Sequence, residues 1–172
     1  VGGGNGNRIN GGNPGGCSTI SGGFDNSTGF TNSGSGLALL EGGHVIGGGN
    51  NNRIGQNLTY GVISGGHGNS VQSYGATIAG GENNVIEASG WLSSIGGGSQ
   101  NTNYGQYAAI PGGQFNVAQG DYSFAAGRRA KANHSGAFVW ADSTDADFAS
   151  GTADEFAIRA HGGVRLSQDT PA

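Results

Sequence analysis

One short unit, repeated along most of the chain, restricts the fold more than any other feature. It reads apolar residue, any residue, Gly, usually Gly, two variable residues, then Asn. Copies start at Val1, Ile20, Ile46, Ile63, Ile78, Ile95 and Ile110, and close on Asn7, Asn26, Asn52, Asn69, Asn84, Asn101 and Asn116. A degenerate eighth copy, Ala125-Ala126-Gly127-Arg128, puts Lys131 where the Asn is expected. By subtraction the starts lie 19, 26, 17, 15, 17, 15 and 15 residues apart, so the basic coil has about fifteen residues. Self-similarity at such a period marks a solenoid, in which no coil buries its apolar face alone.

A coil of this length holds two short strands and two tight turns. The Gly pair supplies corner angles that a residue with a Cβ adopts only at a cost. The Asn tolerates left-handed geometry and hydrogen-bonds nearby backbone. Stacking then sets Ile20, Ile46, Ile63, Ile78, Ile95 and Ile110 in one apolar row, beside an Asn ladder able to satisfy turn carbonyls. The expected class is all-β: a parallel β-roll or solenoid over residues 1–136, and a small C-terminal β-cap and connector over 137–172. Within the latter, 137–142 reads as a strand whose Trp140 covers the solenoid end. Residues 155–160 and 164–166 read as a β-hairpin, and 168–172 as a linker.

Composition agrees and removes other classes. Of 172 residues 39 are Gly, roughly three times the usual share, and interior Gly disfavours helix by about 1 kcal/mol each. The Gly lacks the every-third-residue period of collagen. No apolar run approaches the roughly 18 to 20 residues of a membrane span, so no membrane insertion by this segment is expected. A net charge of −4 with seven Lys and Arg argues against nucleic acid, which needs clustered cations. Cys17, the single cysteine, cannot form an intrachain disulfide. A start at Val1 with no signal-like segment reads as an excised or processed piece. With 34% hydrophobic residues the core of one chain is thin, which makes oligomerisation a natural expectation.

The segment Gly120-Asp121-Tyr122-Ser123-Phe124-Ala125-Ala126-Gly127-Arg128-Arg129-Ala130-Lys131-Ala132 resembles the head repeat of YadA-like trimeric autotransporter adhesins. Ser123, Ala125, Gly127, Ala130 and Ala132 match its Ser-Val-Ala-Ile-Gly, two variable residues, Ala-X-Ala pattern. Similar head-like repeats occur in phage tail fibres and bacterial surface proteins. The resemblance implies a left-handed parallel β-roll, a homotrimer, and adhesion to host matrix or surfaces outside the cell. Upstream the chain departs from that pattern, with Ile in the central place and small or polar residues often beside it.

Three features are candidates for function. Tyr60, Tyr107 and Tyr122 lie three residues before the next anchor, and Tyr74 and Trp91 four before. Stacked, they form a stripe pointing away from the Ile row. It either packs against other chains and protects edges, or binds sugar rings or a protein partner. The long coil between Ile20 and Ile46 carries Phe30 and Leu37-Ala38-Leu39-Leu40, read as a structural tuck or a binding loop. Asp142, Asp145, Asp147, Asp154 and Glu155 read as a solvated polar loop, with a calcium site as the alternative.

Catalytic patterns are poor. His44, His67, His134 and His161 show no zinc spacing, no Gly pair leads into a phosphate loop, and no cofactor or metal is expected. Arg128, Arg129 and Lys131 form the only basic patch, read as the transition that ends the regular roll. The reading that results is an extracellular or cell-surface adhesion module, most consistent with a homotrimer, binding protein matrix or glycan multivalently. Its rivals are a glycan hydrolase, using carboxylate pairs such as Glu82 and Glu87, and a purely structural spacer.

Overall fold

The computed structural model describes residues 1–9, 17–28, 43–55 and 60–166. Phe30, the run 37–40 and the linker 168–172 lie outside the described residues. Among the described residues there is no helix, and every strand pairing is parallel, in one sheet of nine strands and one of ten. The chain is an all-β parallel solenoid. Successive anchors pair in register from Ile20 through Ile46, Ile63, Ile78, Ile95 and Ile110, and onward to Ala125, Val139 and Ala157. From Ile20 to Ala157 the turns average about 17 residues, the fifteen-residue coil recurring among longer ones.

Each coil follows the same path. A two-residue strand such as Thr77–Ile78 belongs to the first sheet, and Val85–Ile86 to the second. Strand alternation aims Ile78 and Ile86 inward, where both are fully buried, and Thr77 and Val85 outward. The same alternation resolves the difference from the adhesin pattern: the central Ile faces the core and the flanking residues face out. Ile20, Ile46, Ile54, Ile63, Ile78, Ile86, Ile95 and Ile110 form the core, which narrows to Ala125, Ala132, Val139 and Ala157 at the C-terminal end.

Between the two strands lies the Gly corner. Gly66 has φ of +92°, and a Cβ there would overlap the carbonyl of Gly81 one coil on, so a side chain is excluded twice over. The Asn does a different job from the one its conformational tolerance suggested. The left-handed residue is the one before it, as at Asp25, Asn51, Asn83, Gln100 and Phe115, whose φ values run from 49° to 59°. The Asn itself is fully buried, and its side chain runs along the solenoid axis. Asn84 Nδ2 donates to the carbonyls of Gly80 and Gly98, both at 3.0 Å. Asn69 Oδ1 accepts the Asn84 backbone N–H at 3.0 Å. The Asn84 amide thereby supplies a donor to the Gly80 carbonyl and a second one to the Gly98 carbonyl, which also accepts the Glu82 N–H.

The ladder ends at Ala130, whose N–H donates to Asn116 Oδ1 at 2.9 Å. Ala130, and not Lys131, therefore occupies the Asn position of the eighth copy. That coil has lost one Gly, so Gly127 aligns with Gly113 and Lys131 with Val117. The expected hairpin is not formed. Phe156–Arg159 pairs in parallel with Phe138–Ala141 and continues the first sheet, while 164–166 carries no strand. Trp140 is 38% exposed and flanked in the sheet by Ala126 and Ile158, so it sits on the outer face and the following strand covers the coil.

Candidate functional site

The return segment from the second sheet to the first turns through another left-handed residue, three before each anchor. In successive coils this corner holds Gly43, Tyr60, Gly75, Leu92, Tyr107, Tyr122, Gly136 and Asp154, all with positive φ. From Leu92 onward each N–H there reaches the carbonyl four before the preceding anchor, as Leu92 does to Tyr74 and Tyr107 to Trp91. The sequence-nominated aromatics therefore share one edge of the solenoid. Tyr60, Tyr74, Trp91, Tyr107 and Tyr122 are exposed by 61, 41, 54, 50 and 68%.

They fall into two groups. Tyr60 meets Tyr74 edge to face at 6.0 Å between centroids, and Tyr74 meets Trp91 at 6.5 Å. Tyr107 and Tyr122 stack at 5.2 Å with planes 6° apart. Such geometries match the ring quadrupoles. Each of the five remains at least 41% exposed, which leaves ring surface to stack against sugar rings or another apolar surface. Three of these tyrosines hold a backbone geometry that costs an L-residue about 1 kcal/mol or more. The same corner is Gly in three other coils.

Beside the stripe, the outer face of the first sheet carries a second aromatic row that the sequence reading passed over. Phe124, Phe138 and Phe156 stack at 4.4 and 4.6 Å, and Phe156 is 69% exposed. The signal was available: each Phe precedes its inward anchor by one residue, but those anchors are Ala125, Val139 and Ala157 and no longer Ile. Tyr104 was also missed. It stands on the second sheet side, two residues after the outward Thr102.

Two members of the acidic cluster, Asp145 and Asp147, pair with the basic patch. Asp147 Oδ1 accepts from Arg129 Nε at 2.8 Å, with Lys131 Nζ 3.7 Å away. Asp145 Oδ1 lies 3.1 Å from Arg128 Nη2 and 3.4 Å from Arg129 Nη1. Glu155 accepts the N–H of Thr152 at 3.3 Å. The polar loop is thus tied down by ion pairs one coil below it, and among the described residues no group of three His, Cys, Asp or Glu is placed to hold a metal.

Asp142 is the most strongly held acid. Its Oδ2 accepts the His161 N–H at 2.9 Å and lies 2.6 Å from His161 Nδ1, while Oδ1 accepts from Arg159 Nε at 3.1 Å. Chiefly the backbone and ring of His161 hold its carboxyl far below the usual carboxylate range. The four histidines remain apart. His44 is buried and accepts from the Gly61 N–H, His67 faces Glu82 at 3.6 Å, and His134 meets Ser150 at 2.9 Å. Glu82 lies in the corner ladder and Glu87 just past a strand of the second sheet, so the two sit on different sides of the coil. No helix among the described residues is long and apolar enough to cross a membrane. Neither a protein-family model nor a curated protein matches this chain.

Proposed function

We propose that this solenoid is a non-catalytic adhesion module of a cell surface or extracellular fibre, of the YadA-like head type. It binds matrix protein or glycan through its exposed aromatic edge. The observation that carries the reading is the retention of Tyr60, Tyr107 and Tyr122 at a corner where Gly is the unstrained choice. A strained, solvent-exposed aromatic adds little to a monomer and implies a use outside it. A rod with sites at several coils gains avidity from weak contacts. In this reading the chain works as a homotrimer, which multiplies the stripe threefold and covers the Phe124, Phe138 and Phe156 row on the outer face of the first sheet.

Light scattering on a size-exclusion column tests the assembly: three chains of 17.0 kDa give about 51 kDa. Replacing Tyr60, Tyr107 and Tyr122 together with Ala tests the stripe. Retention on immobilised matrix proteins or glycans is expected to fall at least tenfold while the solenoid stays folded. Unchanged assembly and unchanged retention would sink the proposal.

A further inference from the structure

A groove of about 880 Å³ runs along the outer side of the second sheet, within the range of small-ligand sites. Its lining comes from Ser89, Tyr104, Gln119, Asp121, Lys131 and Asn133, with Val117 and Asp147 beside them. Tyr104, Gln119 and Asn133 each follow an outward strand residue by two, Thr102, Val117 and Lys131, and those three pair in consecutive order. They therefore stand in one column. Two ladder steps separate its ends, about 10 Å, the length of a disaccharide.

The chemistry of the lining narrows the ligand. Lys131 is already engaged: its Nζ donates to the Phe115 carbonyl at 2.7 Å and sits 3.7 Å from Asp147. Asp121 accepts the Gln106 N–H at 2.9 Å through Oδ1 and lines the groove with its carboxylate. Asp147 is neutralised by Arg129 and Lys131, Asp121 keeps its charge, and Lys131, the one cation in the lining, is committed, so the groove is unwelcoming to phosphate, sulfate or uronic acid. A peptide added as a strand is also excluded, since the strand 117–118 is paired on both sides and offers no open edge. What remains is a row of hydroxyl-binding groups, the Gln119 and Asn133 amides and a carboxylate oxygen, next to one half-exposed aromatic face. A pyranose presents that combination, with an apolar C–H face for the ring and a rim of hydroxyls for the amides.

We propose that this groove is a binding site for a neutral disaccharide unit of a longer glycan, with Tyr104 as the stacking platform. Gln119, Asn133 and Asp121 hold the hydroxyls, and the glycan lies parallel to the solenoid axis. None of Tyr60, Tyr107 and Tyr122 lines the groove, although Asp121 directly precedes Tyr122.

The test is an amide-detected NMR titration of the full chain with cellobiose, lactose, maltose and N,N′-diacetylchitobiose into the millimolar range. Saturable shifts are expected at the Gln119 and Asn133 side-chain amides and at the amides of 104 and 121 for at least one sugar. Tyr104→Ala should abolish saturation, and Gln119→Ala, a change at an exposed residue that leaves the core intact, should weaken binding several-fold. Thr77→Ala, on the outward face of the first sheet and outside both the groove and the stripe, should leave it unchanged. The proposal is overturned if none of the four sugars gives saturable groove shifts. It is equally overturned if Tyr104→Ala and Gln119→Ala bind as the parent does, or if sialyllactose binds more tightly than lactose.

Discussion

Asn84 Oδ1 accepts both the backbone N–H of Asn101, at 3.1 Å, and its side-chain amide, at 3.0 Å. One side chain thus bonds to the next coil while its own amide closes the corner carbonyls of Gly80 and Gly98. Asn84→Ala removes bonds from four groups, but the Gly98 carbonyl keeps the Glu82 N–H and Asn101 Nδ2 keeps the Gly97 and Gly113 carbonyls, so the loss falls on the Gly80 carbonyl and the buried Asn101 N–H. Unfolding in urea is expected to show a loss of about 2 kcal/mol or more, given about 1 to 3 kcal/mol per orphaned group. A loss below about 1 kcal/mol would mean that water replaces the amide.

The core row predicts a separate cost. Ile78 is fully buried between Ile63 and Ile95, and Thr77 next to it faces out. Ile78→Ala should cost about 2 to 5 kcal/mol through lost burial and a residual cavity, and Thr77→Ala less than about 1 kcal/mol. Equal effects in thermal unfolding would contradict the assigned faces.

At the left-handed corner, the expected order of stability is unusual. Tyr122→Gly removes a stacked ring but also relieves the backbone, so its stability should lie within about 1 kcal/mol of the parent. Tyr122→Val keeps the unfavourable φ of 57° and adds a β-branch, so it should be the weaker variant by about 1 to 2 kcal/mol. Calorimetric midpoints for the two variants decide it, and a more stable Val form would refute the strain.

The clasp at Asp142 predicts a direction with pH. Its carboxyl is held below its unfolded value by His161. The stability it contributes is therefore complete above the ordinary carboxylate range, near pH 4, and is lost as pH falls toward the depressed folded value. Asp142→Asn should lower the melting midpoint at neutral pH and flatten its decline in acid. A variant whose midpoint tracks the parent at every pH would show that the clasp adds nothing.

The pairs joining Arg128 and Arg129 to Asp145 and Asp147 are partly exposed. Arg129→Ala should cost about 1 kcal/mol or less. Its larger effect should be faster amide exchange at Phe148, whose N–H donates to the Arg129 carbonyl, and through the polar loop before it. Adding salt to the parent should move exchange in the same direction.

What the sequence disclosed is what occurs once per coil. The Ile row and the Asn ladder each need only a period, so Ile20 through Ile110 and Asn7 through Asn116 were legible from spacing. The aromatic edge was legible for the same reason, as a fixed offset from the anchor. The eighth copy was misaligned because one missing Gly moved Ala130 into the Asn column, a one-residue slip of the kind that reverses faces. The parallel pairing of 156–159 was hidden where the anchors shrink to Ala and Val and alternation looks like any hairpin strand. The ion pairs joining 128–131 to 145–147 cross from one coil to the next, and no local pattern announces a partner fourteen or more residues away.

Strict parallel register from Ile20 to Ala157 turns chain length into a ruler. Each added coil lifts the far end by one strand spacing, about 4.8 Å, and leaves the girth unchanged. Eight such steps carry this chain about 38 Å. Excising 79–95 would join Ile78 to Gly96 with both side-chain columns uninterrupted, shortening the rod by a single notch. Reach is therefore adjustable in whole increments by duplicating or deleting coils, with no redesign of the cross-section.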